Sequence, residues 1–443
     1  MLKKAHSLIE DYNNKLVAKT TTAQKTVDYY LEKIKDNDHL RAVIEINSNA
    51  QKDAALIDKM QVLPAPLRGF PILIKDNINT ADGTATSAGS LSLANNIVTK
   101  DAPFVQLLRQ GGAVILGKAN MTEFANYMVD YREVQVMPSG FSSRGGQCVH
   151  PVDSTADPSG SSTGSAVAVA AGLAPVAIGS ETYGSIVSPA QRCGIVGIKP
   201  TAGSIDTSGV IPISSTLDIV GPMATSVKDA AIVLGILLQK HFEIVPQTTG
   251  RVGVYKNEGW RITQEWLDAN QGILGKMKSN GMEVINLPHD PINESFVFEI
   301  MRYEFKASLN QYLSEHASKN AAVRSLAEII EFNRANSQRA LKYGQGNLIA
   351  ANNISDAWQE EPIYKKAIVD RNDAISRLDS FFIENNLDIV LMESAHVGLA
   401  AATGFPSITF PIGKTSKNLP IGCCLIAQRG KEDILINIAA ALY

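Results

Sequence analysis

Between residues 137 and 222 the chain almost stops using charge. Eight of the residues in this block are Asp, Glu, Lys or Arg, against 13 glycines and 15 serines. A flexible linker has that composition, but a linker lacks strand-like apolar blocks such as Val176–Ile178 and Ile195–Ile198. The block therefore reads as buried backbone held close to other backbone or to a substrate, with glycines supplying angles that other residues resist. Such a segment needs a large scaffold. Apolar residues make up 45% of the 443, enough for a substantial core and too many for a disordered chain.

The flanking sequence predicts an α/β fold. Leu2, Ala5, Leu8, Ile9, Tyr12 and Leu16 recur at helical spacing, and Thr20 to Thr22 offer an N-cap for a second helix carrying Val27, Tyr30, Leu31 and Ile34. A strand at Ala42–Ile46 and a helix at Ala50–Lys59 follow. Phe70–Ile74 is a continuous apolar run ending at Lys75-Asp76-Asn77, the pattern of a buried strand feeding a loop. Phe104–Arg109 and Ala113–Leu116 read as helix, Gly-Gly turn and strand. Further on, 293–382 holds only two glycines and is helical in pattern, whereas Ile389–Met392, Ser407–Pro411 and Ile421–Ile426 read as buried strands before a helix at Asp433–Leu442. Helices alternating with short buried strands, without repeat or linker, predict one continuous domain over 1–443 with a helical excursion at about 293–382.

Charge and cysteine usage exclude several classes. Net charge is −3, so nothing points to nucleic acid or to an anionic membrane surface. Cys148, Cys193, Cys423 and Cys424 fit no zinc spacing and read as reduced core thiols, the adjacent pair on opposite faces of one strand. The seven histidines show no i, i+4 metal pair, and no metal or cofactor is expected. The N-terminal segment lacks the apolar stretch of a secretion signal, and the run Ala166–Ile178 is broken by Gly172 and Pro175. A cytoplasmic protein without membrane attachment is the expectation.

One short motif misleads. Gly160-Ser161-Ser162-Thr163-Gly164 fits the G-x-S-x-G elbow of α/β-hydrolases, with Ser162 as nucleophile and His396 as the available base. That elbow requires a strand directly before it, and Asp153 to Ser159 has the composition of a loop. Over a longer window the sequence carries a stronger signal. Ser159-Gly160-Ser161-Ser162-Thr163-Gly164-Ser165-Ala166 opens a small-residue helix. Ser180-Glu181-Thr182-Tyr183-Gly184-Ser185-Ile186 follows a strand at Val176–Gly179, and Arg192-Cys193-Gly194-Ile195-Val196-Gly197-Ile198-Lys199-Pro200-Thr201 comes next. This order resembles the amidase signature family. Gly69-Phe70-Pro71-Ile72-Leu73-Ile74-Lys75-Asp76 resembles its upstream lysine motif, and Gly404-Phe405-Pro406-Ser407-Ile408 its C-terminal strand motif.

The resemblance implies a central mixed β-sheet flanked by helices on both sides, with a signature core at about 60–230. It also implies a Ser–cis-Ser–Lys triad. Carried over by position, Ser185 is the nucleophile, Ser161 the bridging serine after a cis Gly160–Ser161 bond, and Lys75 the base. The residue types suit the task. A serine needs a base to remove its proton. A lysine can act only when neutral, and burial favours that form. One hydroxyl can pass a proton because it donates and accepts together. The turn at Thr182, Tyr183 and Gly184 is expected to supply oxyanion-hole N–H groups, each worth ~3 kcal/mol. Ser162, Ser165 and Ser180 read as structural.

Two departures bear on specificity. Tyr183 stands where Gly or Asp is usual, residues that tolerate a left-handed backbone better, so a strained tyrosine is expected, its ring either packing or narrowing the acyl pocket. Val187 replaces an arginine that can hold a substrate carboxylate elsewhere in the family, which argues against acid-bearing substrates. With Phe141-Ser142-Ser143-Arg144-Gly145-Gly146-Gln147 upstream, the pattern looks similar to peptide-amidase-like members. The expected activity is hydrolysis of neutral carboxamides, aryl amides or C-terminal peptide amides through an acyl-enzyme, by a monomer or homodimer. The rivals are a catalytically silent binding protein on the same fold and a glutamyl-tRNA amidotransferase A subunit.

Overall fold

Short strands that are apolar at every position need cover on both faces, and the chain supplies it with helices. The computed structural model describes residues 6–60, 65–129, 136–256, 263–288, 292–393 and 397–443. In chain order the strands are β1 Val43–Ile46, β2 Pro71–Lys75, β3 Val114–Ala119, β4 Phe141–Ser142, β5 Gly146–Gln147, β6 Val176–Glu181, β7 Val196–Lys199, β8 Ile219–Ala224, β9 Gly250–Tyr255, β10 Met282–Asn286, β11 Ile389–Met392, β12 Ser407–Lys414 and β13 Pro420–Ile426. β4 and β5 form a small hairpin. The rest build one 11-stranded sheet in the order β1-β3-β2-β6-β8-β7-β12-β13-β11-β9-β10.

The sheet is mixed, as the resemblance implies. β3, β2 and β6 run parallel to one another, as do β11, β9 and β10, while β6, β8, β7, β12, β13 and β11 pair antiparallel in turn. Alternate residues serve opposite cores. Ile72 and Ile74 of β2 join Ile178, Ile198, Phe410 and Leu425 beneath the helices Val227–Leu237 and Glu432–Leu442. Leu73 joins Ala177 and Met223 beneath the small-residue helix Thr163–Ala170. Cys423 and Cys424 divide the same way, and all four cysteines are buried thiols. Over the second face at the other end lie the helices Phe296–Glu315 and Pro362–Glu384 of the predicted excursion.

Most predicted elements sit where the pattern puts them, within a residue or two at their ends. The two N-terminal helices are Leu8–Val17 and Ala23–Asp36, the second capped by Thr22 as expected; Leu2 and Ala5 lie outside the described residues. Several elements have no counterpart in the sequence reading, among them β8, β9, β10, the β4–β5 hairpin and the helices Val187–Cys193, Val227–Leu237, Gln264–Ser279 and Gly398–Thr403. β9 and β10 lie on the outer, partly exposed side of the sheet, where polar residues interrupt the apolar run. Among the described residues no helix is long and apolar enough to cross a membrane.

Candidate active site

Lys75 ends β2, and β6 runs parallel beside it with Leu73 opposite Ala177 and Ile74 opposite Ile178. The carboxyl ends of the two strands therefore bring Lys75 to Ser180. Its Nζ donates to the Ser180 carbonyl and Oγ, both at 3.0 Å, and to Ser161 Oγ at 2.8 Å. The side chain is fully buried. Burial drives its pKa down to about 7, while the nearby carboxylates of Asp218 and Glu181 pull the other way.

Ser161 follows a cis Gly160–Ser161 peptide bond and is itself buried. Its carbonyl accepts from the Thr122 N–H at 3.1 Å. Only glycine fits before it, because a Cβ at position 160 would lie 2.4 Å from Thr122 Oγ1. Ser162 looks away from chemistry. Its Oγ donates to the Ser180 carbonyl at 3.0 Å, which latches the serine loop to β6, and its N–H donates to the Ser185 carbonyl at 3.1 Å. The preceding residues form no strand, so the elbow geometry is absent, and His396 lies outside the described residues.

Ser185 sits on the turn between β6 and the helix Val187–Cys193, at the wall of a cavity of about 420 Å³ that Gly160, Thr182 and Tyr183 also line. Glu181 organises this turn from inside. Its Oε2 accepts from the N–H groups of Ile186 at 2.6 Å and Val187 at 3.0 Å. A carboxylate at the start of a helix suits the N–H groups exposed there. The left-handed residue of the turn is Gly184, with φ +86°, and not Tyr183. The expected tyrosine strain is thus corrected: the neighbouring glycine takes the conformation that a side chain resists.

Tyr183 packs and also faces the cavity. Its ring lines the cavity and meets Phe298 edge-on at 5.9 Å. Its hydroxyl donates to Glu294 Oε2 at 2.6 Å, so that proton is committed to protein. Burial, then the Glu294 carboxylate, pushes its pKa up. The sequence reading missed Asp218, whose Oδ1 accepts from Thr182 Oγ1 at 2.5 Å. It also missed the part of Ser180 in binding Lys75. A signal existed, because a block with so few charges makes each one notable, and Glu181, Lys199 and Asp218 all lie in it.

Fold and site together define an amide-hydrolysing enzyme on the amidase signature fold. A family model described as Amidase matches residues 25–396, and the chain belongs to the amidase family. The crystal structure of native peptide amidase from Stenotrophomonas maltophilia superposes with a TM-score of 0.88 at 35% identity, covering 99% of this chain and 96% of that one. An Arabidopsis thaliana protein named "Probable amidase" is 35% identical across 98% of this chain and 88% of its own length. A glutamyl-tRNA(Gln) amidotransferase subunit of Chlorobium limicola is 30% identical across 98% of this chain and 99% of its own.

Proposed function

We propose that the chain is a serine amidohydrolase that cleaves neutral carboxamides, with C-terminally amidated peptides as the substrate class, through an acyl-enzyme on Ser185. The observation that carries this reading is the buried Lys75 amine, 2.8 Å from Ser161 Oγ, with its pKa lowered to about 7. In its neutral form the amine accepts the Ser161 proton while Ser161 takes the proton of Ser185. The freed Ser185 oxygen adds to the amide carbonyl. N–H groups of the turn Thr182-Tyr183-Gly184 stabilise the oxyanion. As the C–N bond breaks, the relay returns the proton to the leaving nitrogen, and ammonia departs. Water then attacks the ester by the same relay and releases the acid.

The cavity supports a neutral acyl group. Val129, Met137, Ile213 and Met301 line it, and its two charged residues among the described ones, Glu299 and Arg302, pair with each other at 3.7 Å. The likeness to peptide amidase supports the peptide-amide class. The test is ammonia release from a short aliphatic amide, an aryl amide and an amidated dipeptide, by the wild type and by Ser185→Ala. The amidated dipeptide is expected to turn over fastest and Ser185→Ala to be inactive. Full activity in Ser185→Ala would falsify the acyl-enzyme. The likeness to the Chlorobium protein supports a second reading as the ammonia-supplying part of a larger complex; glutamine hydrolysed in preference to every amide in the panel would favour it.

A further inference from the structure

Glu304 is a buried carboxylate in the helix Phe296–Glu315, outside the cavity wall, and nothing in the proposed mechanism uses it. It accepts five hydrogen bonds. Oε2 takes Ser214 Oγ at 2.5 Å, Ser215 Oγ at 3.3 Å and the Thr216 N–H at 3.0 Å; Oε1 takes Thr216 Oγ1 at 2.5 Å and the Tyr364 hydroxyl at 2.8 Å. Four of these five donors belong to the loop before β8. The same loop is gathered a second time by Asp218, whose Oδ2 accepts from the N–H groups of Ile213 at 2.8 Å and Ser214 at 3.1 Å. The other oxygen of Asp218 holds the Thr182 hydroxyl, three residues before Ser185. An unbroken line of hydrogen bonds thus runs from the helix Pro362–Glu384 through Glu304, the loop and Asp218 to the turn that carries Ser185.

We propose that Glu304 is a positioning residue, which sets the Ser185 turn through the 213–218 loop and Asp218. The inference rests on Ser185 being the nucleophile. All five partners donate, so an acceptor-only group belongs here. Glutamine can replace it, because its amide oxygen can keep the Thr216 N–H and Ser214 while its NH₂ faces two hydroxyls able to accept. Alanine cannot, and would leave the Ser214 and Thr216 hydroxyls without their acceptor and the Thr216 N–H with only Ser214 Oγ at 3.2 Å. The loop would then relax, and Asp218 with it.

The experiment compares kcat, KM and fluorophosphonate labelling in Glu304→Gln, Glu304→Ala, Thr182→Val and the double variant Glu304→Ala/Thr182→Val. Glu304→Ala is expected to lower kcat roughly 30-fold with KM within about 3-fold, and Glu304→Gln to stay within about 3-fold in both. Once Thr182→Val has cut the line, adding Glu304→Ala is expected to cost less than about 3-fold more. Wild-type kcat in Glu304→Ala, equal damage in the Gln and Ala variants, or fully multiplicative losses would each overturn the proposal. If Glu304→Ala does not fold, Thr216→Val takes its place with the same expected split and the same non-additivity, and wild-type kcat there is equally fatal. Failure of the nucleophile reading is separable, since it shows as wild-type enzyme that fluorophosphonate does not label at Ser185.

Discussion

At Lys75, burial has two consequences of opposite value. It supplies a neutral amine near pH 7 and it makes the folded state a poor home for a proton. Activity is expected to rise with pH through about 7 and then level, as the pKa of the buried amine dictates. Lys75→Ala and Ser161→Ala should each cost several orders of magnitude in kcat, without adding, because the groups act as one unit. The stability effect has a definite sign. Between the folded pKa of about 7 and the unfolded value of 10.5 the unfolded chain binds one proton more at this residue, so stability rises with pH across that window. Lys118 and Lys199 are shifted down as well, so the measurement is a difference: urea unfolding of wild type and Lys75→Met at pH 7.5 and 9.5. The wild type should gain on the variant at the higher pH; a flat difference would mean that the lysine stays charged. Tyr183 yields a prediction about size. Tyr183→Gly opens cavity space and releases Glu294, so kcat/KM for a bulky amide should rise relative to a short one. Asp is a poorer replacement here than glycine, since it would set a second carboxylate beside Glu294. An unchanged ratio would reduce the ring to packing.

Two strand ends and two turns make the candidate site, and the serine loop is closely packed at Gly160. Gly160→Ala would drive a Cβ to 2.4 Å from Thr122 Oγ1 and 3.0 Å from Thr163 Oγ1. The serine loop must then shift away from Lys75, and kcat should fall at least about 100-fold, as displaced catalytic geometry does. A second substitution, Thr122→Ala, should restore part of the loss; no restoration would place the damage elsewhere. The sequence was informative about elements such as these where one interaction dominates. β2 and β6 are apolar at nearly every position, and their pattern is visible without a structure. Lys75 and Ser161 stand out only because the motifs around them resemble those of the amidase signature family. The contacts that tune them come from far along the chain and leave no local pattern. Asp218 reaches Thr182, and Glu294 reaches Tyr183 across 111 positions. Likewise β10 escaped notice because a half-exposed strand shares its polar content with loops, and only its pairing with β9, which itself pairs with β11, gives it away.

The whole molecule is tied together by contacts between distant parts of the sequence. Ser7 Oγ donates to Asp229 Oδ1 at 2.6 Å, and the Tyr443 hydroxyl to the Thr225 carbonyl at 3.2 Å, so opposite ends of the described chain meet at the helix Val227–Leu237. We propose that the chain folds as a single domain. Urea unfolding followed by activity, far-UV circular dichroism and tryptophan fluorescence should then give coincident transitions, with Trp266 and Trp358 reporting from the C-terminal half. An early fluorescence transition with activity retained would break the molecule into separate units. The sheet order adds a consequence for biosynthesis. β7 lies against β12 in the middle of the sheet, yet Lys199 is followed by about two hundred residues before its partner Ser407 is made. At ribosomal rates of roughly 5–20 residues per second, that is on the order of ten to forty seconds. Throughout that interval β7 can pair with β8, but its other edge lacks its strand partner. The middle of the sheet therefore stays open, one strand edge unpaired, until one of the last strands of the chain closes the gap.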